Sequence, residues 1–439
     1  MSMNQSPTPQ QNRREFLKSS STVLATATIA SPFILSREAR AAANSDTLKV
    51  GLVGCGGRGS GAASQALHAD PNVHLTAVGD LFPDQIKRSL DVLKTDKEIG
   101  TRVQVDADHQ FTGLDAFQKV INSGVDVVLL ATPPGFRPQH LRAAIEAGKH
   151  VFCEKPMATD APGVRSVMES VRLSKQKNLA IVAGFCWRYD YARREFFNRV
   201  HDGAMGDVRF MHATYLTGPV KPMPAPDRRP AGMGDVEWQL RNWYNFVWIC
   251  GDGLVEQACH SVDKIAWAFK DVPPLKCTGN GGRQTPNHEG NIYDHIDVFY
   301  EWEDGARASM AQRQIPNCHS DNSDYLLGSL GNGTIKGYAP PTITGQNRWR
   351  YSGEKPDMYQ VEHNELFASI RSGKHINDGD WMAKSTLMAI MGRMAAYSGQ
   401  EVTWEQALNS KWSIVPENLT WDQKLAIDPM AIPGRTKLV

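Results

Sequence analysis

The chain has 439 residues, of which 41% are hydrophobic and 22% are charged. These are ordinary values for a globular protein, and a chain of this length is expected to form two or three domains. The formal net charge is only +1, and the basic residues are scattered along the sequence. The composition therefore gives no reason to expect nucleic acid or an anionic membrane surface as a partner.

Residues 1–45 have the pattern of an export signal followed by a linker. The pair Arg13-Arg14 precedes a weakly apolar stretch over 19–35, and alanines fill 41–43. Charged, apolar and small-residue regions in this order are typical of a twin-arginine signal. The apolar stretch is too short and too rich in Ser and Thr for a membrane span. The sequence therefore predicts export of the folded protein to the periplasm.

From about residue 46 to 185, short apolar runs alternate with stretches of helical periodicity. Apolar strands separated by helices predict a doubly wound parallel sheet, and so an α/β Rossmann domain. The predicted strands are LKVGLVG (48–54), VHLTAVGD (73–80), VDVVLLATP (125–133), HVFCEKP (150–156) and LAIVAGF (179–185).

After about residue 205 the apolar residues alternate with polar ones, as in DVRFMHATYLTGP and IDVFYEWED. This pattern predicts a large open, mostly antiparallel sheet with one exposed face. Turns are expected at 303–305 and at Gly331-Asn332-Gly333. Helical spacing followed by glycine marks 361–373 and 381–399. We therefore predict an α+β substrate-binding and oligomerisation domain over 186–415 and a C-terminal tail over 416–439.

A glycine-rich turn follows the first predicted strand and precedes a predicted helix over 60–68. In this context a G-x-G-x-x-G motif binds a pyrophosphate, because glycines permit close approach and the helix start offers amide donors. The motif residues are Gly54, Gly56, Gly57, Arg58 and Gly59.

Asp80 ends the next predicted strand, 21 residues after Gly59. A carboxylate at this place accepts hydrogen bonds from the ribose hydroxyls and repels a 2′-phosphate, which favours NAD over NADP. Arg58 could offer a cation to a 2′-phosphate, so NADP stays open. Seven cysteines have spacings that fit neither a disulfide framework nor a zinc site, and we predict buried free thiols and no metal site.

Three segments carry a family resemblance: GLVGCGGRG (51–59), ATPPGFRPQHLRAAIEAGKHVFCEKP (131–156) and GDGLVEQACHSVDKIAWAF (251–269). With them the sequence resembles the Gfo/Idh/MocA family of sugar and cyclitol oxidoreductases, in the branch with twin-arginine signals. The resemblance runs from about Leu48 to Trp404. It implies that Thr132, Pro133 and Glu154 contact the cofactor.

The resemblance also implies that Lys155 lies beside the nicotinamide ring and the reacting hydroxyl. Its position after an apolar run agrees with the rule that ligands bind at the carboxyl ends of parallel strands. A partly desolvated lysine near a second cation is expected to have a lowered pKa, and its ammonium can stabilise an alkoxide. The alternative is a structural Glu154–Lys155 ion pair. His140 is expected near the cofactor, although an ordinary histidine at a helix start is equally credible.

Glu256, His260 and Asp263 are spaced four and three residues apart, so on one helix they would share a face. The resemblance implies that His260 accepts the proton of the substrate hydroxyl, with Glu256 in place of the family's usual aspartate. Asp263 would orient the helix or the imidazole. The alternative is that His260 is a core histidine with satisfied hydrogen bonds.

Further candidate substrate contacts follow the last predicted strand of the first domain, precede the Glu256 segment, or lie on the antiparallel sheet. Aromatic faces and arginine donors suit a sugar ring, but each residue could equally serve interdomain packing. The candidates are Trp187, Arg188, Tyr189, Arg241, Asn242, Trp243, Tyr244, Asp294 and His295.

The sequence thus predicts an NAD(P)-dependent oxidoreductase that acts on a secondary hydroxyl of a sugar, glycoside or cyclitol. Because free NAD is not expected outside the cytoplasm, an exported enzyme is expected to hold its cofactor tightly. A redox-neutral glycosidase, lyase or epimerase that works through a keto-sugar is the alternative, and a non-catalytic sugar-binding protein is a third possibility. An open sheet with apolar residues on its outer face needs covering, which predicts a homodimer or homotetramer.

Overall fold

The protein is described by a computed structural model that covers residues 46–285 and 289–437. The predicted export signal at 1–45 lies outside the described residues. Within the described ranges, no helix combines the length and the apolar character that crossing a membrane requires.

Six parallel strands form the first sheet, in the order β3-β2-β1-β4-β5-β6. The four residues of β4 and the three of β6 are all buried, which agrees with a sheet covered on both faces. The predicted Rossmann domain is therefore confirmed. Its strands are β1 (Leu48–Val53), β2 (Val73–Asp80), β3 (Gln110–Thr112), β4 (Val127–Leu130), β5 (His150–Cys153) and β6 (Ile181–Ala183).

Helices connect these strands. The first helix begins at Gly57, three residues before the predicted start, so the last motif glycines already belong to its first turn. Strand β3 was not predicted, because it has only three residues and none of them is buried. The helices are α1 (Gly57–Ala69), α2 (Pro83–Thr95), α3 (Ala116–Ile121), α4 (Arg137–Glu146) and α5 (Ala161–Gln176).

Nine strands form the second sheet, in the order β14-β13-β12-β11-β7-β10-β9-β8-β15. Among the described residues of this sheet, only β7 and β10 pair in parallel, so the predicted mostly antiparallel sheet is confirmed. Its strands are β7 (Val208–Thr217), β8 (Lys276–Gly282), β9 (His295–Glu301), β10 (Arg307–Gln314), β11 (Ser323–Gly328), β12 (Gly331–Lys336), β13 (Thr342–Gly345), β14 (Trp349–Arg350) and β15 (Val402–Thr403).

The predicted turn at Gly331-Asn332-Gly333 is wrong, because these residues start β12 and the turn lies at 329–330. The glycines here serve close packing. A Cβ on Gly331 would lie 2.2 Å from the carbonyl oxygen of Thr344, and a Cβ on Gly333 would lie 2.6 Å from the ring of Phe196.

The helices of the second part are α6 (Tyr191–His201), α7 (Asp235–Arg241), α8 (Val247–Cys250), α9 (Gly253–Glu256), α10 (Cys259–Ala268), α11 (Met358–Ser372), α12 (Gly379–Ser398) and α13 (Trp404–Asn409). As predicted, α11 and α12 end at glycines, and Gly373 and Gly399 adopt the left-handed conformation. Helix α11 packs against α1, so it covers the helix that follows the glycine-rich turn.

Candidate functional site

The glycine-rich turn has the backbone geometry that a dinucleotide requires. Gly54 has φ +96°, and a Cβ on it would lie 2.6 Å from the backbone of Ala131. A Cβ on Gly59 would lie 1.8 Å from the carbonyl oxygen of Gly54, so the helix can approach the strand only with glycine there. Gly56 and Gly57 instead border open space, which a side chain would fill. The turn thus fits the pyrophosphate of a dinucleotide, with backbone amides exposed at the start of α1.

Asp80 ends β2 next to this turn. Its carboxylate accepts hydrogen bonds from the backbone N–H of Cys55 at 2.7 Å and of Phe82 at 2.9 Å. Burial raises the pKa of Asp80, although these amide donors oppose the shift. Asp80 lines a narrow cavity with Thr132 and His140, at the place where the fold directs the adenosine half of a dinucleotide.

His140 lies inside this part of the site. Its ring stacks on Phe117 at 4.1 Å between centroids, and its Nδ1 lies 3.2 Å from the hydroxyl of Thr132. Burial and then the charge of Arg137 lower the pKa of His140 to about 3, so the ring is neutral. Pro133 begins the turn after β4, but its neighbour Pro134 lines the cavity that contains Lys155.

Lys155 follows β5 and pairs with Glu256. Its Nζ donates to the Glu256 backbone carbonyl at 2.6 Å and to Glu256 Oε1 at 3.0 Å. Only 11% of the lysine side chain and 6% of the glutamate side chain are exposed, so this ion pair is largely shielded from water.

The expected lowering of the Lys155 pKa is wrong. Burial is the largest single influence and lowers it, but Glu256 and, to a smaller extent, Cys259, Tyr244 and Glu154 together outweigh burial and raise the pKa well above the usual 10.5. Lys155 is therefore a stable ammonium rather than a proton donor with a pKa near neutrality. It can stabilise negative charge on a ligand oxygen.

Glu154 pairs with Arg58 and not with the Lys155 side chain. Arg58 Nε lies 2.9 Å from Glu154 Oε1, and its guanidinium lies over the ring of Tyr359 at 4.9 Å. The alternative of a Glu154–Lys155 ion pair is thus not observed. Arg58 lines the cavity of Lys155 and is engaged there, so the structure gives no support for its binding a 2′-phosphate beside Asp80.

His260 lies near the start of α10 and lines the same cavity as Lys155. Its Nδ1 is buried and has no hydrogen-bond partner among the described residues. Burial, followed by the charges of Lys155, Lys264 and Arg193, lowers the pKa of His260 well below the usual 6.5. The imidazole is therefore neutral and available as a proton acceptor.

Glu256 and His260 do not share one continuous helix, contrary to the prediction. Glu256 ends α9, and α10 begins at Cys259. Of the two roles expected of Asp263, orienting the imidazole is not observed, because its carboxylate is bound by Arg188 and by the hydroxyl of Ser385, and these contacts can orient α10. The two side chains nevertheless line one cavity, since the break redirects the chain without separating Glu256 from His260.

Arg188 and Tyr189 are not placed to bind a substrate. Arg188 forms ion pairs with Asp263 at 2.8 Å and Asp271 at 2.6 Å. Tyr189 is buried and donates its hydroxyl hydrogen to Asp378 at 2.6 Å. Both side chains are satisfied inside the protein.

Trp187 is buried as well, but it supports the site from behind. Its ring stacks near His260 at 6.3 Å between centroids, and the Nζ of Lys264 lies 4.1 Å from its centroid. Trp187 is thus a packing partner of His260 and does not line the cavity.

The cavity has a volume of about 270 Å³ and collects residues from both parts of the protein. Trp243 and Tyr244 line it as predicted candidates and stack on each other at 3.8 Å. Arg241 instead lies over Phe82 at 3.9 Å, and Asn242 is buried. The lining residues are Arg58, Ala131, Thr132, Pro134, Arg137, Glu154, Lys155, Gly184, Tyr215, Trp243, Tyr244, Glu256, Gln257, His260 and Tyr359.

The sequence reasoning missed Tyr215, Gln257 and Tyr359. Gln257 donates to Glu256 Oε2 at 2.5 Å and accepts from the hydroxyl of Tyr215 at 3.0 Å, so it extends the Lys155–Glu256 pair into a network. Gln257 directly follows Glu256 in the sequence, and this adjacency could have indicated Gln257 as a site residue. Asp294 and His295 pair with each other at 2.8 Å outside this cavity.

The site offers no metal ligands in the part of the chain that the structure describes, where no group of three His, Cys, Asp or Glu could hold an ion. The seven cysteines are free, and six of them are buried. The fold and the site together define a class, namely two-domain proteins with a dinucleotide-binding Rossmann domain and a cavity at its junction with an α+β domain.

Part of the chain matches the model of a known protein family. Residues 48–185 match the family model of the oxidoreductase family Gfo/Idh/MocA, described as an NAD-binding Rossmann fold. The Rossmann domain of the chain is thus similar to the NAD-binding domain of this family.

Two curated relatives illustrate the range of similarity. Inositol 2-dehydrogenase 4 of Saccharopolyspora erythraea is 32% identical over 176 residues, which are 40% of this chain and 47% of that protein. A glycosyl hydrolase family 109 protein of Shewanella pealeana is 27% identical over 309 residues, 69% of this chain and 58% of that protein. The chain thus matches only about half the length of such relatives.

Solved structures share the fold over a longer stretch. A levoglucosan dehydrogenase in complex with NADH and levoglucosan has a TM-score of 0.65 at 18% identity, covering 82% of this chain and 100% of that one. An aldose-aldose oxidoreductase from Caulobacter crescentus in complex with glycerol has a TM-score of 0.64 at 19% identity, with coverages of 81% and 99%. These likenesses establish the fold.

Proposed function

We propose that the protein is an NAD-dependent oxidoreductase that acts on a secondary hydroxyl of a carbohydrate. One observation carries the proposal: Lys155 and His260 line a single cavity beside a glycine-rich turn that fits a dinucleotide. The glycine-rich turn would hold NAD, which would supply the hydride acceptor for the carbinol carbon. The similarity to inositol and sugar dehydrogenases supports a sugar or cyclitol substrate.

Two side chains act on the substrate hydroxyl: His260 is the proton acceptor, and Lys155 is a cation held in a fixed position. His260 takes the proton of the hydroxyl at Nε2, since Nδ1 is buried away from a ligand. Lys155 donates hydrogen bonds to the same oxygen as its negative charge develops. Glu256 and Gln257 hold the ammonium in position and keep it charged.

Tight retention of the cofactor is part of the proposal. The C-terminal tail crosses the adenosine end of the site, where Trp421 packs on Phe82 at 5.8 Å. Leu419 belongs to the same apolar cluster as Leu81 and Phe136, which line the cavity of Asp80. Backbone hydrogen bonds of Leu425 to Asp235 and Gln239 fix the tail to α7. A tail in this position would slow the release of a bound dinucleotide.

Export and assembly complete the proposal. The twin-arginine pattern of residues 1–45 supports folded export to the periplasm, where a retained cofactor would be needed. Phe299 and Leu327 are 54% and 49% exposed on the outer face of the second sheet. We expect a second copy of the chain to cover this face, as a homodimer or homotetramer.

The test is to purify the mature protein without added nucleotide, denature it and identify the released nucleotide by mass spectrometry. Intact protein is then mixed with a panel of sugars and cyclitols while the absorbance of reduced nicotinamide is followed. We expect about one NAD per chain and a rise in absorbance with at least one compound. Absence of both nucleotide and absorbance change, even after NAD is added, would refute the proposed function.

A redox-neutral glycosidase is the second candidate, because the hydrolase-family relative aligns with 69% of this chain. Release of nitrophenol from 4-nitrophenyl glycosides, without a lasting rise in reduced nicotinamide, would favour it over a net oxidoreductase.

A further inference from the structure

A second cavity, of about 240 Å³, adjoins the catalytic cavity and shares a wall with it. Tyr244 lines both cavities. The second cavity is bounded by the 219–223 loop, by the segment at 292–294 and by the end of β10. A ligand held in the catalytic cavity that extends past Tyr244 would enter this space.

The walls of the second cavity are mainly apolar. Met223, Ile292 and Tyr293 are largely buried there, and proline rings add further apolar surface. Such a surface suits the face of a ring, which can also stack on Tyr244.

The charged groups in these walls are already engaged. Arg283 donates to the carbonyl oxygens of Gly290 and Ile292. Asp294 accepts from the backbone N–H of Gln284 at 2.9 Å and pairs with His295. Lys221, the third charged residue of these walls, donates to the backbone carbonyl of Arg241, so each charged side chain already has a hydrogen-bond partner within the protein.

The side-chain amide of Gln314 can donate a hydrogen bond to a ligand in this cavity. Its Nε2 is buried and has no hydrogen-bond partner among the described residues. Gln312, two residues earlier on β10, is 1% exposed, and neither of its amide atoms has a partner. A buried amide without a partner is costly, so a ligand oxygen that accepts from Gln314 would stabilise the complex.

We propose that the second cavity binds the aglycone ring of a glycoside whose sugar reacts in the catalytic cavity. The inference rests on the proposed function and names its substrate class. The occupant is a ring with an apolar face and one hydrogen-bond acceptor. A free sugar or cyclitol would leave the second cavity empty and Gln314 without a partner.

The experiment compares 4-nitrophenyl glycosides with methyl glycosides of glucose, galactose and mannose in both anomers. The kcat/KM for reduction of nicotinamide is measured for each pair. We expect the nitrophenyl compound to exceed its methyl counterpart by about tenfold or more, as is usual when an additional apolar group is bound.

Two variants test where this preference arises. Met223→Trp fills the second cavity, and Gln314→Leu removes the unpaired amide without adding bulk. Each should bring the ratio of nitrophenyl to methyl substrates towards one. Met430→Trp, at a residue that is 38% exposed in the tail, is the matched control and should keep the wild-type ratio.

A wild-type ratio near one, or a ratio that Met223→Trp and Gln314→Leu leave unchanged, would overturn the inference while the proposed function stands. If no glycoside or sugar reduces the nicotinamide, the proposed function fails. The second cavity is then judged by calorimetry with the same nitrophenyl glycosides. Binding that Met223→Trp weakens about tenfold would support the inference, and no binding to the wild type would overturn it.

Discussion

Two cations follow neighbouring strands of the Rossmann sheet. One of them lines a cavity, and the other is enclosed by the protein. Lys155, directly after β5, pairs with Glu256 and lines an open cavity. Arg188, soon after β6, pairs with Asp263 and Asp271 between the rings of Trp267 and Trp381. In the sequence both are cations after an apolar run. The partners decide which cation a ligand can reach, and these partners come from distant parts of the chain.

Removing the charge of Lys155, which lines the cavity, should affect catalysis. Lys155→Met should lower kcat by about a thousandfold, because the oxygen of the substrate loses the cation that stabilises its developing charge. The nucleotide content after purification should stay close to one per chain. Steady-state kinetics and mass spectrometry measure these two quantities.

Lys411→Met, at an exposed position, is the matched control and should keep wild-type kinetics. A Lys155→Met enzyme that retains kcat within tenfold of the wild type would contradict the role given to the ammonium.

Removing the other cation should affect stability. Arg188→Met leaves the carboxylates of Asp263 and Asp271 without their partner inside the protein. We expect the free energy of unfolding in urea to fall by about 3 to 5 kcal/mol, as for other broken buried ion pairs. The folded fraction should keep its kcat within a few-fold.

Arg172→Met removes an ion pair between side chains that are 63% and 59% exposed, so it should change the free energy of unfolding by less than about 1 kcal/mol. Loss of kcat in Arg188→Met with an unchanged unfolding curve would contradict the structural role of Arg188 and would indicate that it binds the substrate.

The pH dependence of the reaction reports on the charges around His260. Because the pKa of His260 is well below 6.5, its imidazole stays unprotonated as the pH falls through 6.5. The kcat/KM for oxidation should therefore show no loss from this group until lower pH. Profiles measured at constant ionic strength test the expectation, and a loss of activity with an apparent pKa near 6.5 would contradict it.

The charge of Lys264 is one of those that lower the pKa of His260, and it can be removed by substitution. Its Nζ pairs with Asp324 at 2.6 Å, and both side chains are fully buried. Replacing both together, as Lys264→Met with Asp324→Leu, avoids leaving one charge unpaired. Loss of a cation near an imidazole favours the protonated ring, so the acid limb of the kcat/KM profile should move to higher pH. An unchanged limb would show that Lys264 does not act on His260.

The smallest effect is expected at Glu362, a fully buried carboxyl whose oxygens have no hydrogen-bond partner among the described residues. Burial and then the charge of Glu154 raise its pKa well above 4.5. The folded protein therefore holds a proton that the unfolded chain releases above pH 4.5. Stability contributed by this group is present below pH 4.5 and is lost as the pH rises towards the folded pKa.

Glu362→Gln mimics the protonated carboxyl and removes this dependence. The variant should match the wild type in urea unfolding at about pH 4 and exceed it increasingly at neutral and alkaline pH. A difference in free energy of unfolding that does not change with pH would contradict the protonated state of Glu362.

The sequence predicted those features that depend on local pattern. Apolar runs predicted five of the six Rossmann strands because these strands are buried, and glycines predicted the dinucleotide turn and the ends of α11 and α12. Lys155 and His260 were found because motifs mark them. The local sequence pattern does not indicate the break between α9 and α10. The prediction that Glu256 and His260 share one helix face was therefore wrong.

Features that depend on partners from elsewhere in the chain could not be predicted. Tyr215 lies on β7 and Tyr359 on α11, and neither has a neighbouring motif that indicates a site. The same limit explains Arg188, whose burial depends on Asp263 and on Asp271 beyond the end of α10. The pKa of Lys155 was predicted in the wrong direction because its partner Glu256 is distant in the sequence.

A crystal structure of the protein with reduced NAD tests the central claim most directly. We expect a pyrophosphate against the turn at Gly56 and Gly57, and a nicotinamide ring in the cavity with Lys155 on one side of the reacting position and His260 on the other. A dinucleotide bound elsewhere, or a nicotinamide ring outside contact with both side chains, would contradict it.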